Sequence, residues 1–198
     1  MFMSISVIIP TFNSSKTIQQ TLESVFAQTY KPSEIIIVDD CSIDNTHKIC
    51  RRLLSKRMCD YKVCVLNEQG GPSKARNKGW SLARSKWIAF LDSDDIWHKN
   101  KLEVMMKYLN SEAILVGHRY SEKIPNNQLV SSKFIKTQKI TYNKALFSNQ
   151  FSTPSVILKR DVDFRFNENL TRAEDWDLWL SILFKYGPVS KVDVDLCW

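Results

Sequence analysis

Short apolar runs alternate with longer amphipathic segments along the first half of the chain. The runs Ile35–Val38 and Trp87–Leu91 are apolar without internal alternation, which predicts strands buried on both faces, as in parallel sheets, and another short buried strand is predicted over Ile5–Ile9. A further strand is predicted over Tyr61–Leu66. Because helical patterns separate these strands, the β-α-β-α-β-α-β order predicts an α/β fold with a parallel sheet and right-handed crossovers.

Polar residues at the expected helix starts support the three intervening helices. Asn13 or Ser14 can cap the first helix and Asp44 the second, because short polar side chains accept hydrogen bonds from the first free amides of a helix. The third helix is predicted over Ser73–Arg84, with Pro72 suited to the first helical position.

The alternation is weaker in the second half of the chain. We predict a helix over Lys99–Asn110 and loops with short irregular pieces over residues 121–150. Thr171 and Glu174 have the spacing of a capping box, which predicts the start of another helix. Strands are predicted over Ala113–Gly117, Val156–Leu158 and Val189–Leu196.

Polar clusters follow three of the early strands. They are Pro10–Asn13, Asp39-Asp40 and Asp92-Ser93-Asp94-Asp95. The carboxyl ends of parallel strands share one edge of the sheet, where such folds bind their ligands. Carboxylates this close repel one another, and oxygen ligands suit Mg²⁺ or Mn²⁺ shared with a phosphate. The pattern therefore predicts a nucleotide-sized site with a divalent metal, where Phe12 offers a stacking face.

Basic residues are the expected phosphate ligands beside the metal. Neither common glycine-rich phosphate fingerprint occurs in the chain. Lys74, Arg76 and Lys78 lie near the start of the third predicted helix, where the helix dipole also favours an anion.

Composition narrows the class of protein. The 198 residues, 43% hydrophobic and 25% charged, suit one soluble domain with a substantial core. Five cysteines without a C-x-x-C pair argue against a disulfide framework or a zinc site, so we expect reduced thiols in a cytoplasmic protein. The net charge of +7 suits anionic substrates or an anionic membrane surface. Nucleic acid is not expected as a partner, because no nucleic-acid-binding motif accompanies the charge.

Five motifs together resemble family 2 glycosyltransferases of the GT-A fold, in the order found in that family. They are Ser6–Asn13 (SVIIPTFN), Val38–Asp40 (VDD), Gly71–Asn77 (GPSKARN), Phe90–Asp95 (FLDSDD) and Glu174–Trp179 (EDWDLW). The resemblance implies a Rossmann-like, mostly parallel sheet flanked by helices, with a smaller acceptor-side region. It implies one GT-A catalytic domain over residues 1–198, with a nucleotide-binding half over about 1–95 and an acceptor-binding half over about 96–198.

The resemblance also implies an activity. It is that of a metal-dependent, inverting glycosyltransferase of the hexosyltransferase type, using a nucleotide sugar that is most often UDP-linked. The expected acceptor is a saccharide or a lipid-linked acceptor in surface polysaccharide synthesis. Peripheral attachment to the cytoplasmic face of a membrane is a further hypothesis, since basic residues are attracted to anionic lipid.

Donor-binding roles carry over by position. Pro10 and Phe12 match the nucleotide-base pocket, and Asp40 matches the carboxylate that contacts the base, with Asp39 beside it. Arg76 matches the basic residue near the base and the phosphates.

Metal-binding and catalytic roles carry over in the same way. Asp92 and Asp94 match the D-x-D motif, in which Asp94 binds the metal and Asp92 reaches ribose or metal, and Asp175 matches the catalytic base. We expect Asp95 to be a helix cap, and we expect Trp97 to wall the sugar pocket.

Two departures from the family pattern stand out. Cys41 occupies a position where many relatives carry glycine, which we expect to have a local effect on the loop. Relatives also continue past the final strand, so we expect a C-terminally truncated chain or an unusually short member, with an incomplete acceptor half.

Two other classes of protein stay open at this point. A sugar nucleotidyltransferase shares the sheet and the acidic metal site, but it is expected to carry a glycine-rich loop where this chain has Pro10–Asn13. A catalytically silent module that binds sugar nucleotides is disfavoured by the presence of both Asp94 and Asp175. Trp176 and Trp179 lie three apart on one helical face, which favours a place in the core over a sugar platform.

Overall fold

The computed structural model describes residues 3–57, 59–121, 130 and 135–198. In chain order, the elements are β1 (Ile5–Thr11), α1 (Ile18–Phe26), β2 (Glu34–Asp39), α2 (Thr46–Leu54), β3 (Asp60–Val65), α3 (Gly71–Leu82), β4 (Trp87–Phe90), α4 (Lys101–Met106), β5 (Leu115–Arg119), β6 (Thr137–Ile140), α5 (Tyr142–Phe147), a 3₁₀ turn (Thr153–Ser155), β7 (Val156–Lys159), α6 (Glu174–Tyr186) and β8 (Val189–Asp195).

The strands form one sheet in the order β3-β2-β1-β4-β7-β5-β8-β6. β1 pairs in parallel with both β2 and β4, and β2 pairs in parallel with β3. These pairings confirm the α/β fold and the parallel sheet that the first half of the sequence predicts. The four strands end at one edge of the sheet because the crossover helices return the chain to the opposite edge before each strand.

Helices cover both faces of the sheet, and each face has its own core. On one face α1, α2 and α4 pack against side chains such as Val7 and Ile37. On the other face α3, α5 and α6 pack against side chains such as Ile8 and Ile36. Both faces of β1 and β2 are therefore buried, which is why most of their residues are apolar.

The second half of the chain extends the same sheet with mixed pairing. β7 lies antiparallel to both β4 and β5, so β5 runs in the same direction as β4. β8 is parallel to β5, and β6 is antiparallel to β8. The carboxyl ends of β4, β5 and β8 consequently lie along one edge, which continues from the first half of the chain into the second.

The expectation of loops over residues 121–150 is partly wrong. β6 and α5 lie within that stretch, and Thr141 caps α5 by accepting a hydrogen bond from the backbone N–H of Lys144. Residues 122–129 and 131–134, which belong to the same expectation, lie outside the described residues.

The predicted caps of α1 and α6 are also wrong. α6 begins after Ala173, which has a left-handed backbone with φ of 58°, and no side chain caps the helix. α1 begins at Ile18 and likewise lacks a side-chain cap, because Asn13 instead accepts from the backbone N–H of Ile43. The side chains of Asn13 and Glu174, which could have capped helices, instead bond to residues far away in the sequence.

Gly79 sets the distance between α3 and the sheet. A Cβ atom at this position would lie 2.4 Å from Cγ2 of Ile8 and 3.3 Å from Cγ2 of Val38. Any side chain would therefore force α3 away from β1 and β2. The close approach fixes the position of Arg76, one turn earlier on the same helix.

Candidate active site

A cleft of about 300 Å³ lies at the carboxyl ends of β1 and β4. Its lining includes the predicted donor and metal residues Pro10, Phe12, Asp40, Arg76, Asp92 and Asp94. Phe12 is 43% exposed although it is aromatic, and it follows directly after β1. An exposed ring beside carboxylates at a strand end is suited to stacking on a planar ligand. We call this space the donor cleft, after the donor-binding residues that the sequence predicts for it.

Backbone amides hold the two carboxylates that follow β2. Asp40 accepts from the backbone N–H groups of Gly70 and Gly71, at 2.7 and 2.8 Å, and so fixes the loop that opens α3. Asp39 is fully buried and accepts from the backbone N–H of Ser42 at 3.0 Å. Asp40 thus lines the donor cleft, whereas Asp39 lies beneath it. Cys41 follows with φ of 61°, a left-handed conformation that explains why glycine suits this position.

The D-x-D loop is tied to α1 and to the first loop. The Ser93 hydroxyl lies 2.7 Å from the Ser14 hydroxyl, and the Ser93 carbonyl accepts from the Thr21 hydroxyl at 2.9 Å. These two hydrogen bonds fix Ser93, and the flanking residues Asp92 and Asp94 line the donor cleft.

Arg76 joins the donor cleft to the start of α6. Its Nη2 donates to Asp92 Oδ1 at 2.8 Å, and its Nη1 donates to Glu174 Oε1 at 3.0 Å. The side chain is only 5% exposed and its guanidinium stands over the Phe166 ring. Burial disfavours the charge, but Asp92 and Glu174 outweigh it and raise the pKa of Arg76. A permanent cation therefore lies between two motifs that are 82 positions apart in the chain.

Asp175 is half-buried next to that ion-pair network. Its Oδ2 accepts from Asn149 Nδ2 at 3.1 Å and lies 3.5 Å from the Thr153 hydroxyl. Its Oδ1 accepts from the backbone N–H of Trp176 at 2.7 Å. Burial raises the pKa of Asp175, and the hydrogen bond from Asn149 acts in the opposite direction. A carboxylate with a raised pKa is a stronger base, which suits proton abstraction.

The family profile described as Glycosyl transferase family 2 matches residues 6–164, which include most of the elements that build this site. The chain belongs to this family.

Two relatives of this family 2 glycosyltransferase have named activities. One is UDP-Glc:alpha-D-GlcNAc-diphosphoundecaprenol beta-1,3-glucosyltransferase WfgD of Escherichia coli, 38% identical over 96% of this chain and 73% of the relative. The other is the putative teichuronic acid biosynthesis glycosyltransferase TuaG of Bacillus subtilis, 32% identical over 91% of this chain and 72% of the relative.

Solved structures have the same fold. S. aureus TarS 1-349 in complex with UDP superposes with a TM-score of 0.75 at 27% identity. The alignment covers 98% of this chain but 60% of that TarS chain. The chain thus spans less than two thirds of the length of that solved relative.

Two expectations for this glycosyltransferase are wrong around the acidic loop. Asp95 is not a helix cap, because α4 begins six residues later, and its Oδ1 accepts instead from the Tyr120 hydroxyl at 3.1 Å. Trp97 does not wall a sugar pocket, since it is 2% exposed and its indole N–H donates to the Pro154 carbonyl. The segment around Trp97 pairs with residues 196–198, which turns its ring into the core.

The phosphate-binding candidates of α3 divide between two surfaces. Only Arg76 lines the donor cleft, whereas Lys74 and Lys78 line a separate surface beside β3. There Lys74 pairs with Glu68 at 2.8 Å. On α6, Trp179 is buried in the core as expected, and Trp176 is half-buried and donates to the Ala145 carbonyl.

The sequence did not reveal the residues that hold Asp175. Asn149 and Thr153 lie in the stretch between α5 and β7, where hydrophobic periodicity is weak. Thr153 stands next to Pro154 in the short 3₁₀ turn, and that local signal marks a turn but gives no information about its distant partner.

Proposed function

We propose that this chain is an inverting glycosyltransferase that transfers a sugar from a UDP-sugar to a lipid-linked saccharide in surface polysaccharide synthesis. Family membership supports the reaction type. The named activity of WfgD and the TarS complex with UDP support a UDP-linked donor, and the activity of WfgD supports an acceptor joined to lipid through a diphosphate.

One observation carries the proposal. Arg76 bonds simultaneously to Asp92 of the donor cleft and to Glu174, the residue before Asp175. Transfer needs one group beside the leaving diphosphate and a separate base beside the acceptor hydroxyl. The ion pairs of Arg76 with Asp92 and Glu174 connect the donor cleft to the residue next to Asp175, so both groups are close to each other.

Unpaired polar atoms in the donor cleft support nucleotide binding. Thr11 Oγ1 and Arg76 Nε are buried and have no hydrogen-bond partner among the residues that the structure describes, and both side chains line the cleft. A buried polar group without a partner is costly, so a ligand with ribose and phosphate oxygens is a suitable complement. We assign Pro10 and Phe12 to the base, with Asp39 and Asp40 shaping the loop around it.

The acidic loop suits a divalent cation that takes part of its coordination from substrate. The described residues contain no group of three acidic, histidine or cysteine ligands that could hold a metal by themselves. They do hold the carboxylates of Asp92, Asp94 and Asp95 close together, and burial with the other two charges raises the pKa of Asp95 to about 6. We assign Mn²⁺ or Mg²⁺ to Asp94, assisted by Asp92. When bound, the cation would act as a Lewis acid towards the leaving diphosphate.

Asp175 is the proposed general base. It takes the proton of the acceptor hydroxyl as that oxygen attacks the anomeric carbon from the face opposite the leaving group, which inverts the configuration. Such base catalysis contributes roughly 10²–10⁴-fold. Asn149 and Thr153 keep the carboxylate oriented, while Arg76 offsets the negative charge that builds up near Asp92.

We assign the protein to the cytoplasmic face of a membrane. None of the described helices is sufficiently long and apolar to cross a bilayer. The exposed side of α2 carries Lys48, Arg51 and Arg52, and each such charge near an anionic leaflet contributes about 1 kcal/mol. Equal sedimentation with anionic and neutral vesicles would remove this assignment.

Nucleotide release tests the proposed reaction. The protein is incubated with Mn²⁺ and a panel of nucleotide sugars, with and without a diphosphate-linked N-acetylglucosamine acceptor. We expect acceptor-dependent release of UDP. Release of pyrophosphate from a sugar 1-phosphate and a nucleoside triphosphate would indicate a nucleotidyltransferase instead, and UDP-sugar binding without turnover would indicate a silent module.

A further inference from the structure

A second cleft, distinct from the donor cleft, lies between β5, β8 and β6. It has a volume of about 580 Å³ and its lining includes the cationic side chains of Arg119, Lys136, Lys139 and Lys191, with the carboxylate of Asp193. We call it the cationic cleft. Its lining carries four cationic side chains and one carboxylate, and the proposed reaction assigns it no role.

Three lysines account for the excess of positive charge in the cationic cleft. Arg119 is neutralised, because it bonds to Asp193 at 3.0 Å and to Asp195 at 3.0 Å. Within the described part of the chain, no acidic side chain forms an ion pair with Lys136, Lys139 or Lys191. Burial, with the nearby charges of Lys144 and Arg119, lowers the pKa of Lys191. A bound anion would relieve the repulsion of Lys191 by Lys144 and Arg119.

The cationic cleft lies close to both halves of the proposed reaction. Lys191 Nζ donates to the Gln150 carbonyl at 2.6 Å, and the adjacent Asn149 bonds to Asp175. On its other side, Arg119 is followed by Tyr120, whose hydroxyl donates to Asp95. Gln150 therefore connects Lys191 of the cleft to Asn149, the partner of Asp175. Tyr120 connects Arg119 of the cleft to Asp95 in the acidic loop.

We propose that the cationic cleft binds the diphosphate of the acceptor, through Lys136, Lys139 and Lys191. This inference rests on the proposed function, because it assumes an acceptor that carries a diphosphate. The donor diphosphate is assigned to Arg76 and Asp94, so a second group of cations, connected to Asp175 through Gln150 and Asn149, suits a second anion. An acceptor held there by its diphosphate presents its sugar towards Asp175.

Calorimetry with a short-chain alkyl diphosphate that lacks a sugar tests the assignment without turnover. UDP and Mn²⁺ are first added to saturation, so that the donor cleft is occupied. The exposed pair in Lys136→Gln/Lys139→Gln should weaken alkyl diphosphate binding by at least about tenfold, because each charge-assisted phosphate contact is strong. Lys191→Gln should weaken it as well.

Lys56→Gln/Lys86→Gln is the matched control, since it removes the same charge from two exposed positions outside both the cationic cleft and the basic side of α2. It should leave the affinity for alkyl diphosphate unchanged. No binding by the unsubstituted protein, or equal weakening by the control, would overturn the proposal. A Lys136→Gln/Lys139→Gln protein that keeps its affinity for alkyl diphosphate but no longer sediments with phosphatidylglycerol vesicles would overturn it in favour of a membrane contact.

The UDP saturation step separates this proposal from the proposed function. If UDP does not bind, or no nucleotide sugar is turned over, the glycosyltransferase assignment fails. If UDP binds and is released normally while the cleft variants bind alkyl diphosphate as tightly as the unsubstituted protein, only the acceptor site fails.

Discussion

The two carboxylates that follow β2 on the donor side and Oδ2 of Asp175 on the acceptor side are held by different kinds of contact. On the donor side, backbone amides of Gly70, Gly71 and Ser42 bind Asp40 and Asp39. On the acceptor side, the side chains of Asn149 and Thr153 approach one oxygen of Asp175.

This difference has a consequence for sensitivity to mutation. Backbone amides stay in place when a neighbouring side chain is replaced, whereas a side-chain donor is lost with a single substitution. We therefore expect single substitutions to change the base on the acceptor side more readily than the loop on the donor side.

Removing the cation that joins the two sides should have the largest effect on stability. Arg76→Met leaves the carboxylates of Asp92 and Glu174 facing each other without a counter-charge. Breaking a buried ion pair from one side costs about 3–5 kcal/mol of unfolding free energy. Denaturant unfolding measures this loss.

An exposed ion pair on the same helix provides the control. Lys74 binds Glu68 at 2.8 Å on the surface of α3, where solvent screens the charges. Lys74→Met should therefore leave the denaturation midpoint unchanged. If Arg76→Met were as stable as Lys74→Met, the Arg76 network would not hold the two sides together.

Moving α3 should have the next largest effect. Gly79→Ala places a methyl group 2.4 Å from Cγ2 of Ile8, and overpacking of this kind typically costs about 1–3 kcal/mol. Because the helix carries Arg76, UDP affinity should fall along with stability. Ser81→Ala, on an exposed position of α3, serves as the control, and a Gly79→Ala protein that matches it in both measurements would contradict the close packing.

Removing the hydrogen bond from Asn149 to Asp175 should change the pH dependence of kcat more than the affinity for UDP. Asn149 donates to the ionised form of Asp175 and so lowers its pKa, which burial raises. Removing it in Asn149→Ala raises the pKa further, so the base is protonated at higher pH and the acid limb of the kcat profile moves to higher pH.

The rate should fall by about tenfold, as expected for the loss of one hydrogen bond to a charged group. UDP affinity should not change. Gln150→Ala preserves the backbone carbonyl that binds Lys191 and is the neighbouring control. If the acid limb of the kcat profile did not shift in Asn149→Ala, Asn149 would not control the pKa of the base.

The first half of the chain could be predicted from its sequence because its central strands are buried on both faces. β1, β2 and β4 are mostly apolar and lead to the polar residues that line the donor cleft. The polar motifs that were recognised in the sequence therefore coincide with the carboxyl ends of these strands.

Parts of the second half of the chain escaped prediction for physical reasons. β6 is an edge strand in which only Ile140 is buried, so it carries no hydrophobic signal. Glu174 has the spacing of a capping residue, but the tertiary ion pair with Arg76 takes its side chain instead. Asp95 and Asn13 are diverted in the same way, to Tyr120 and to the backbone of Ile43. Contacts over such separations cannot be read from local spacing.

UDP titration in the presence of Mn²⁺, combined with transfer rates, tests the division between the two sides most directly. Asp175→Asn should keep UDP affinity within about twofold while lowering kcat by roughly 10²–10⁴-fold. Asp94→Ala should instead weaken metal-dependent UDP binding. Near-normal transfer by Asp175→Asn, or equal loss of UDP affinity in both variants, would contradict the account.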